Sequence, residues 1–145
     1  MTARARGIVA TVLIGIAVAL AATVLFGVAP GLGAGYLTLC ALGLGGIIYA
    51  FCAKCSCKER CGHVVPGWIA RRLPREPGPY TSTENAVVIL GLALIVGFPL
   101  FWLRRVVWAL VIFVVLNAAA VYQLLRFVCR ACDNVHCPVK AGGGR

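Results

Sequence analysis

The apolar run AVVILGLALIVGFPLFWL (86–103), the pair Arg104-Arg105, and the run VVWALVIFVVLNAAAVYQLLRFV (106–128) decide how this chain folds. A hydrocarbon core of about 30 Å takes about 20 helical residues to cross, and each run approaches or exceeds that length. The two arginines lie between Trp102 and Trp108, as a hairpin tip does at headgroup level inside an aromatic belt. The competing reading, one long helix kinked at Pro99, strands two arginines near mid-membrane at about 3 kcal/mol each.

Working outward, two further runs extend from about Ile8 to Ala29 and from Leu32 to Ala53, joined by a short uncharged turn at Ala29-Pro30-Gly31. No Asp, Glu, Lys or His interrupts the first three runs, and the fourth carries only Arg126 near its end. Backbone left unpaired in lipid is costly, so helix is the state these runs must take. The expected fold is all-α: a polytopic membrane protein with four transmembrane helices (about 8–29, 32–53, 86–103 and 106–128) in two antiparallel hairpins. One membrane domain then covers 1–145, with a loop at 54–84 and a tail at 129–145. Composition agrees, since 61% of the 145 residues are hydrophobic and only 12% charged, about half the charge of a soluble domain. A cleaved signal peptide over Met1 to Ala29 is the alternative for the first run, but its apolar stretch is too long and no small-x-small cleavage site ends it.

Charge sets the expected orientation. Arg4, Arg6, Lys54, Lys58, Arg60, Arg71, Arg72, Arg75, Arg126, Arg130, Lys140 and Arg145 fall on one side, and only Arg104 and Arg105 on the other. The positive-inside rule then puts both termini and the 54–84 loop in the cytoplasm, as a multi-pass protein of the cytoplasmic (inner) membrane. The net charge of +10 is accounted for by this topology and by anionic headgroups. The basic residues are scattered over membrane flanks with no reading module, which excludes a nucleic-acid partner.

Gly15, Ala19, Thr23 and Gly27 recur every four residues on the first span, a ridge of small side chains suited to close helix packing. Ala41 with Gly45, and Gly46 with Ala50, repeat the device on the second span. Packing within the chain is the expected use; a ridge left over would serve a second copy or another membrane protein. The clusters Gly31-x-Gly33-x-Gly35 and Gly43 to Gly46 lack the strand and acidic residue of a nucleotide loop. In the middle loop, Pro66 to Pro74 reads as an amphipathic stretch lying on the membrane through Trp68, Ile69 and Leu73. Arg75 to Tyr80 reads as an extended linker, and Thr81 to Glu84 as the cap of the third span.

The eight cysteines carry the chemistry. Cys40 is alone inside the second span and reads as an apolar packing residue. The rest fall on the expected cytoplasmic side, where thiols stay reduced and clusters point to metal or redox work. One group is Cys52, Cys55, Cys57, Cys61 and His63; the other is Cys129, Cys132, His136 and Cys137. Each opens with C-x-x-C, which lets two thiolates reach one ion from a single turn, so the two pairs would close one tetrahedral site fit for zinc or an iron–sulfur cluster. Two local sites, one per group, satisfy the ligand arithmetic equally. The step Cys137-Pro138 resembles the Cys-Pro that closes bacterial ferredoxin cluster runs, with different spacings before it. Lys54, Lys58, Arg60 and Arg130 stand beside the sulfurs, where positive charge is expected to lower the thiol pKa.

The spans hold no buried acid, base or histidine pair for a proton relay or a haem, and no hydrolytic constellation exists. Asn117, in the middle of the fourth span, is expected to bond across to another helix. The functional expectation is a small integral membrane accessory or assembly subunit with a cytoplasmic metal site, serving a protein partner at the membrane or its cytoplasmic face. The alternatives are a soft-metal carrier relaying copper or mercury from Cys40 to the cytoplasmic cysteines, and a membrane thiol–disulfide oxidoreductase.

Overall fold

The computed structural model describes residues 2–132 with Asn134, His136 and Cys137; Pro138, Lys140 and Arg145, used above, lie outside the described residues, as does the side chain of Arg60. Among the described residues the chain is all helical. Helix α1 covers Ala3–Val28 and α2 Pro30–Ile47, the latter continuing through a π-helical turn at Ile48–Cys52. A short α3 (Val64–Ala70) follows, then α4 (Ser82–Leu103) and α5 (Val107–Gln123), which also ends in a π-helical turn, Leu124–Cys129. Counting those turns, four helices are long and apolar enough to cross a membrane. Their outward faces carry Leu42, Ile89 and Val107 at 73%, 68% and 67% exposure, an apolar surface that only lipid or protein can cover. These are the features of a multi-pass membrane protein.

The first three spans start before their apolar runs, at Ala3, Pro30 and Ser82, because caps rather than hydropathy set where a helix begins. Thr2 accepts from the Ala5 N–H at the head of α1. Pro30 opens α2 at a position where its missing N–H costs nothing. Thr81 and Glu84 form a reciprocal capping box on α4, as the sequence suggested. The interfacial stretch is helical from Val64, two residues before Pro66, and stops at Ala70.

Side-chain contacts gather four helix ends at one pole. Arg6 on α1 donates to Gln123 at 3.2 Å and lies 4.4 Å over the Phe127 ring, joining the start of span 1 to the end of span 4. Lys54, just past span 2, pairs with Glu84 at the start of span 3 at 2.9 Å. At the far end Arg104 and Arg105 lie over Phe101 and Trp102 at 4.1 and 5.6 Å. Within the bundle, α1 packs mainly on α5 and α2, and α2 on α4. The main core joins Ala17, Ala21 and Leu25 of α1 to Tyr36, Leu103, Ala109 and Phe113.

Small residues do bring the helices together, but not always on the expected face. Gly15, Ala19, Thr23 and Gly27 are all exposed, and a Cβ on Gly15 or Gly27 would meet nothing within 4 Å. The packed face is Gly7, Ala10, Ala17 and Ala21. Ala17 and Ala19 differ by two positions, about 200° of helix rotation, so the two ridges look in opposite directions. A four-residue spacing marks a smooth face without saying which of two such faces is covered. On α2, Ala41 and Gly45 are exposed, whereas Gly46 meets Val87 and Ala50 is buried. Helices α2 and α4 approach closely at Gly43 and Gly91: a Cβ on Gly91 would stand 3.2 Å from Ile47 and 3.4 Å from the Gly43 carbonyl oxygen. Gly91→Leu is therefore expected to destabilise the bundle by about 1–3 kcal/mol through overpacking. A lowered melting temperature in detergent checks it, with Gly97→Leu, where a Cβ meets nothing within 4 Å, as the silent control.

Tyr36 crosses between helices, its hydroxyl donating to the Ile95 carbonyl at 3.2 Å, but the threonines inside the spans turn back on their own helices. Thr11, Thr23 and Thr38 donate to carbonyls four residues earlier. Asn117 does the same, its Nδ2 donating to the Phe113 carbonyl at 2.8 Å rather than crossing to a neighbour as expected. A local carbonyl satisfies the amide without requiring register between two helices.

Candidate metal centre

Both cysteine-bearing spans end in a π-helical turn, and that is what presents their thiols. The Ala53 N–H reaches the Ile48 carbonyl at 2.8 Å, five residues back, instead of four. Such widened turns add a residue to the helix circumference and recur at functional sites. Cys52 closes the first of them and Cys129 the second, so each C-x-x-C pair leaves its span from an unwound end. The Cys55 N–H then bonds the Cys52 carbonyl and the Cys132 N–H bonds the Cys129 carbonyl, both at 3.2 Å, giving the two pairs the same tight turn.

The sulfurs of Cys55, Cys57 and Cys132 all lie within 4.8 Å of one another, so thiols from the loop after span 2 and the tail after span 4 come together. Ligands of one tetrahedral zinc, at bonds of about 2.3 Å, stand about 3.8 Å apart, a spacing that falls inside the 4.8 Å bounding this group. Cys61 is close enough to feel both Cys132 and Cys57 electrostatically, and Cys129 feels Cys137, Cys132 and Cys61. Cys52 borders the same neighbourhood from the buried side, packed on Ile48, Ala53 and Ala70. Neither histidine belongs to the three-thiol group among the described residues. His63 precedes α3, where burial holds its pKa down, and the His136 backbone N–H caps Asn134 at 3.1 Å. Cys40 packs beside the main core, away from the cysteine pole.

Asn134 organises the site, and the sequence offered no sign of it. It is 2% exposed and uses its whole amide. Its Nδ2 donates to Cys55 Sγ at 3.3 Å and to the Tyr80 hydroxyl at 3.1 Å, while its Oδ1 accepts from Ser56 and from His136 N. Tyr80 in turn stacks on Phe51 at 4.4 Å and donates to the Phe51 carbonyl. One buried amide thus ties the tail, the cysteine loop and the linker before span 3. An amide N–H aimed at a sulfur favours the thiolate and fixes its direction, as outer-shell partners of metal ligands do.

The charge environment differs from the expectation. Burial pushes the Cys55 and Cys61 thiols up, and Cys132 is pushed up to about 11, by burial first and then by the neighbouring Cys55 and Cys57. Of the cations expected beside the sulfurs, Lys54 and Lys58 are engaged elsewhere. Lys54 and Arg75 both bind Glu84, at 2.9 and 2.6 Å, and Lys58 donates to the Arg75 carbonyl. Arg71 does act on a thiol, lowering Cys61 against the larger effect of its burial. Adjacency in sequence placed charges beside sulfurs, but a carboxylate and a carbonyl took them.

Comparison with known proteins gives no relative. No protein-family model, curated protein or solved structure matches the chain. The chemistry is therefore argued from the residues alone: three thiols from two segments gathered at one place, a donor set that could hold a metal ion.

Proposed function

We propose that this protein is a small integral membrane accessory subunit whose cytoplasmic pole carries one mononuclear metal ion, shared between the two C-x-x-C segments. Cys55, Cys57 and Cys132 are its ligands, with Cys61 the fourth; Cys52, Cys129 and Cys137 form the surrounding thiol shell. The observation that carries the reading is the meeting of three sulfurs from segments more than seventy residues apart within 4.8 Å. Zinc suits this spacing better than an iron–sulfur cluster, because a cluster holds its cysteines on separate iron atoms and so spreads their sulfurs more widely than one ion does. The ion then staples the ends of spans 2 and 4, and the exposed side of the loop is the surface offered to a soluble partner.

The carrier alternative loses its relay. Cys40 and Cys52 are twelve residues apart, about 18 Å along a helix, with no thiol between them. Anaerobic purification in mild detergent, with metal analysis and a visible spectrum on one sample, tests the proposal. About one zinc per chain and no visible band is the expected result. Iron with acid-labile sulfide would replace the mononuclear site by a cluster, and a metal-free protein with a trapped Cys55–Cys132 disulfide would overturn it in favour of thiol exchange.

A further inference from the structure

A second recess opens at the same pole, between the first turn of α1 and α3. It measures about 540 Å³ and is lined by Arg4, Lys58 and Arg71, against a single carboxylate, Glu59. Arg4 and Arg71 make no ion pair among the described residues; the ion pairs present there both end on Glu84. Lys58 gives one ammonium hydrogen to the Arg75 carbonyl and keeps two to donate. Val64, Val65 and Trp68 give the wall an apolar side, and Cys61 borders it. Three cations with little compensation around a concave wall make a site for an anion that also carries hydrocarbon.

The position of the recess narrows the class of anion. Arg4 lies four residues before Ile8, where the first apolar run begins, so the guanidinium is based about 6 Å outside the hydrocarbon edge, at headgroup depth. Trp68 at the rim is 50% exposed and has the Arg72 guanidinium 3.6 Å over its ring, the placement of an interfacial tryptophan. We propose that this recess binds the phosphate of an anionic phospholipid, with Arg4 and Arg71 gripping the phosphate oxygens and Val64, Val65 and Trp68 covering the glycerol region. The assignment rests on the four long helices spanning a membrane; because Cys61 borders the recess and Arg71 lies near it, metal content is read beside lipid retention. An anion arriving from water has no use for the apolar wall, whereas a lipid reaches the recess along the foot of span 1.

Native mass spectrometry of the full chain, released from micelles containing phosphatidylglycerol and phosphatidylcholine of equal chain length, reads the binding directly. The wild type is expected to retain phosphatidylglycerol selectively, and Arg4→Gln/Arg71→Gln to lose about tenfold of that retention. Arg4→Lys/Arg71→Lys should keep much of it, since an ammonium still binds phosphate as a point charge, which separates lost binding from lost folding. Arg104→Gln/Arg105→Gln, which removes the same charge at the other pole, should leave retention unchanged. Equal retention of the two lipids, or an equal loss from the Arg104/Arg105 variant, would overturn the proposal. Displacement of the lipid by millimolar inorganic phosphate would assign the recess to a free anion instead. Metal content read on the same samples keeps this result separate from that of the thiol site.

Discussion

Cys132→Ala is expected to leave the purified protein with less than a tenth of the metal carried by the wild type. Three thiols hold the proposed ion with a fourth behind them, and Cys132 is the member of the closest group that comes from the tail. Its loss leaves the ion on one loop alone, and removal of a protein ligand is far more damaging than loss of an outer hydrogen bond, itself worth about 10–100-fold in affinity. Asn134→Leu, which removes the Nδ2 donor to Cys55 while keeping bulk, should fall in that lower range. The pH dependence follows from the protons. In the metal-free protein the Cys55 and Cys132 thiols are held above their ordinary range, Cys132 at about 11, so both are protonated at neutral pH and both protons leave on loading. Affinity therefore rises with pH near neutrality, by about tenfold per pH unit for each proton expelled, and the buried Cys61 thiol adds its own proton to these two. Metal competition against a chromophoric chelator between pH 6.5 and 8 measures the slope. A Cys132→Ala protein that keeps its metal, with a slope unchanged from wild type, would remove Cys132 from the site.

What the sequence revealed, and what it hid, divides by the range of the physics involved. The four spans were legible because lipid solubility is a sum over each run and depends on no partner. The box Thr81–Glu84 was legible because a cap is made within four residues. The two C-x-x-C pairs were legible as matching tight turns because each is made within four residues, but which cysteines meet was not, since that depends on where two spans end in space. Asn134 shows the limit most clearly. Nothing marks it in the tail sequence, and its role exists only once Cys55, Ser56 and Tyr80 have been brought to it. The ridge on the first span was misplaced for a related reason, because Gly15 and Ala17 belong to opposite faces with nearly the same composition, whereas Gly46 and Ala50 on the second do pack. Asn117 was misread because a carbonyl of its own helix competes with any partner across the bundle and is always in reach.

Gly7→Ala is expected to be the most damaging single methyl added to the chain. The Gly62 carbonyl oxygen occupies the place a Cβ on Gly7 would take, and its carbonyl carbon lies only 2.8 Å from that point. Gly62 has nowhere to retreat: a Cβ of its own would stand 2.9 Å from Val128 Cγ1 and 3.4 Å from the Ala3 carbonyl oxygen. The backbone of the cysteine loop is thus wedged between the foot of span 1 and the end of span 4, one residue after Cys61. A methyl at Gly7 must push backbone, which cannot rotate away as a side chain can, so the loop undocks or α1 shifts. The cost is at the upper end of overpacking, about 3 kcal/mol, and it falls on the element that presents Cys61. Gly62→Ala meets a valine side chain instead and should cost less. Gly15→Ala, on the open face of α1, should be neutral or slightly stabilising, because alanine favours helix by up to about 1 kcal/mol over glycine. Melting temperatures in detergent should fall in the order Gly15→Ala, Gly62→Ala, Gly7→Ala. Maleimide labelling of Cys61 should speed up in Gly7→Ala alone if the loop has left its seat. A Gly7→Ala protein that melts and labels like the wild type would mean that the cysteine loop does not dock on the first span, and the meeting of the two thiol segments would lose the wedge that holds it.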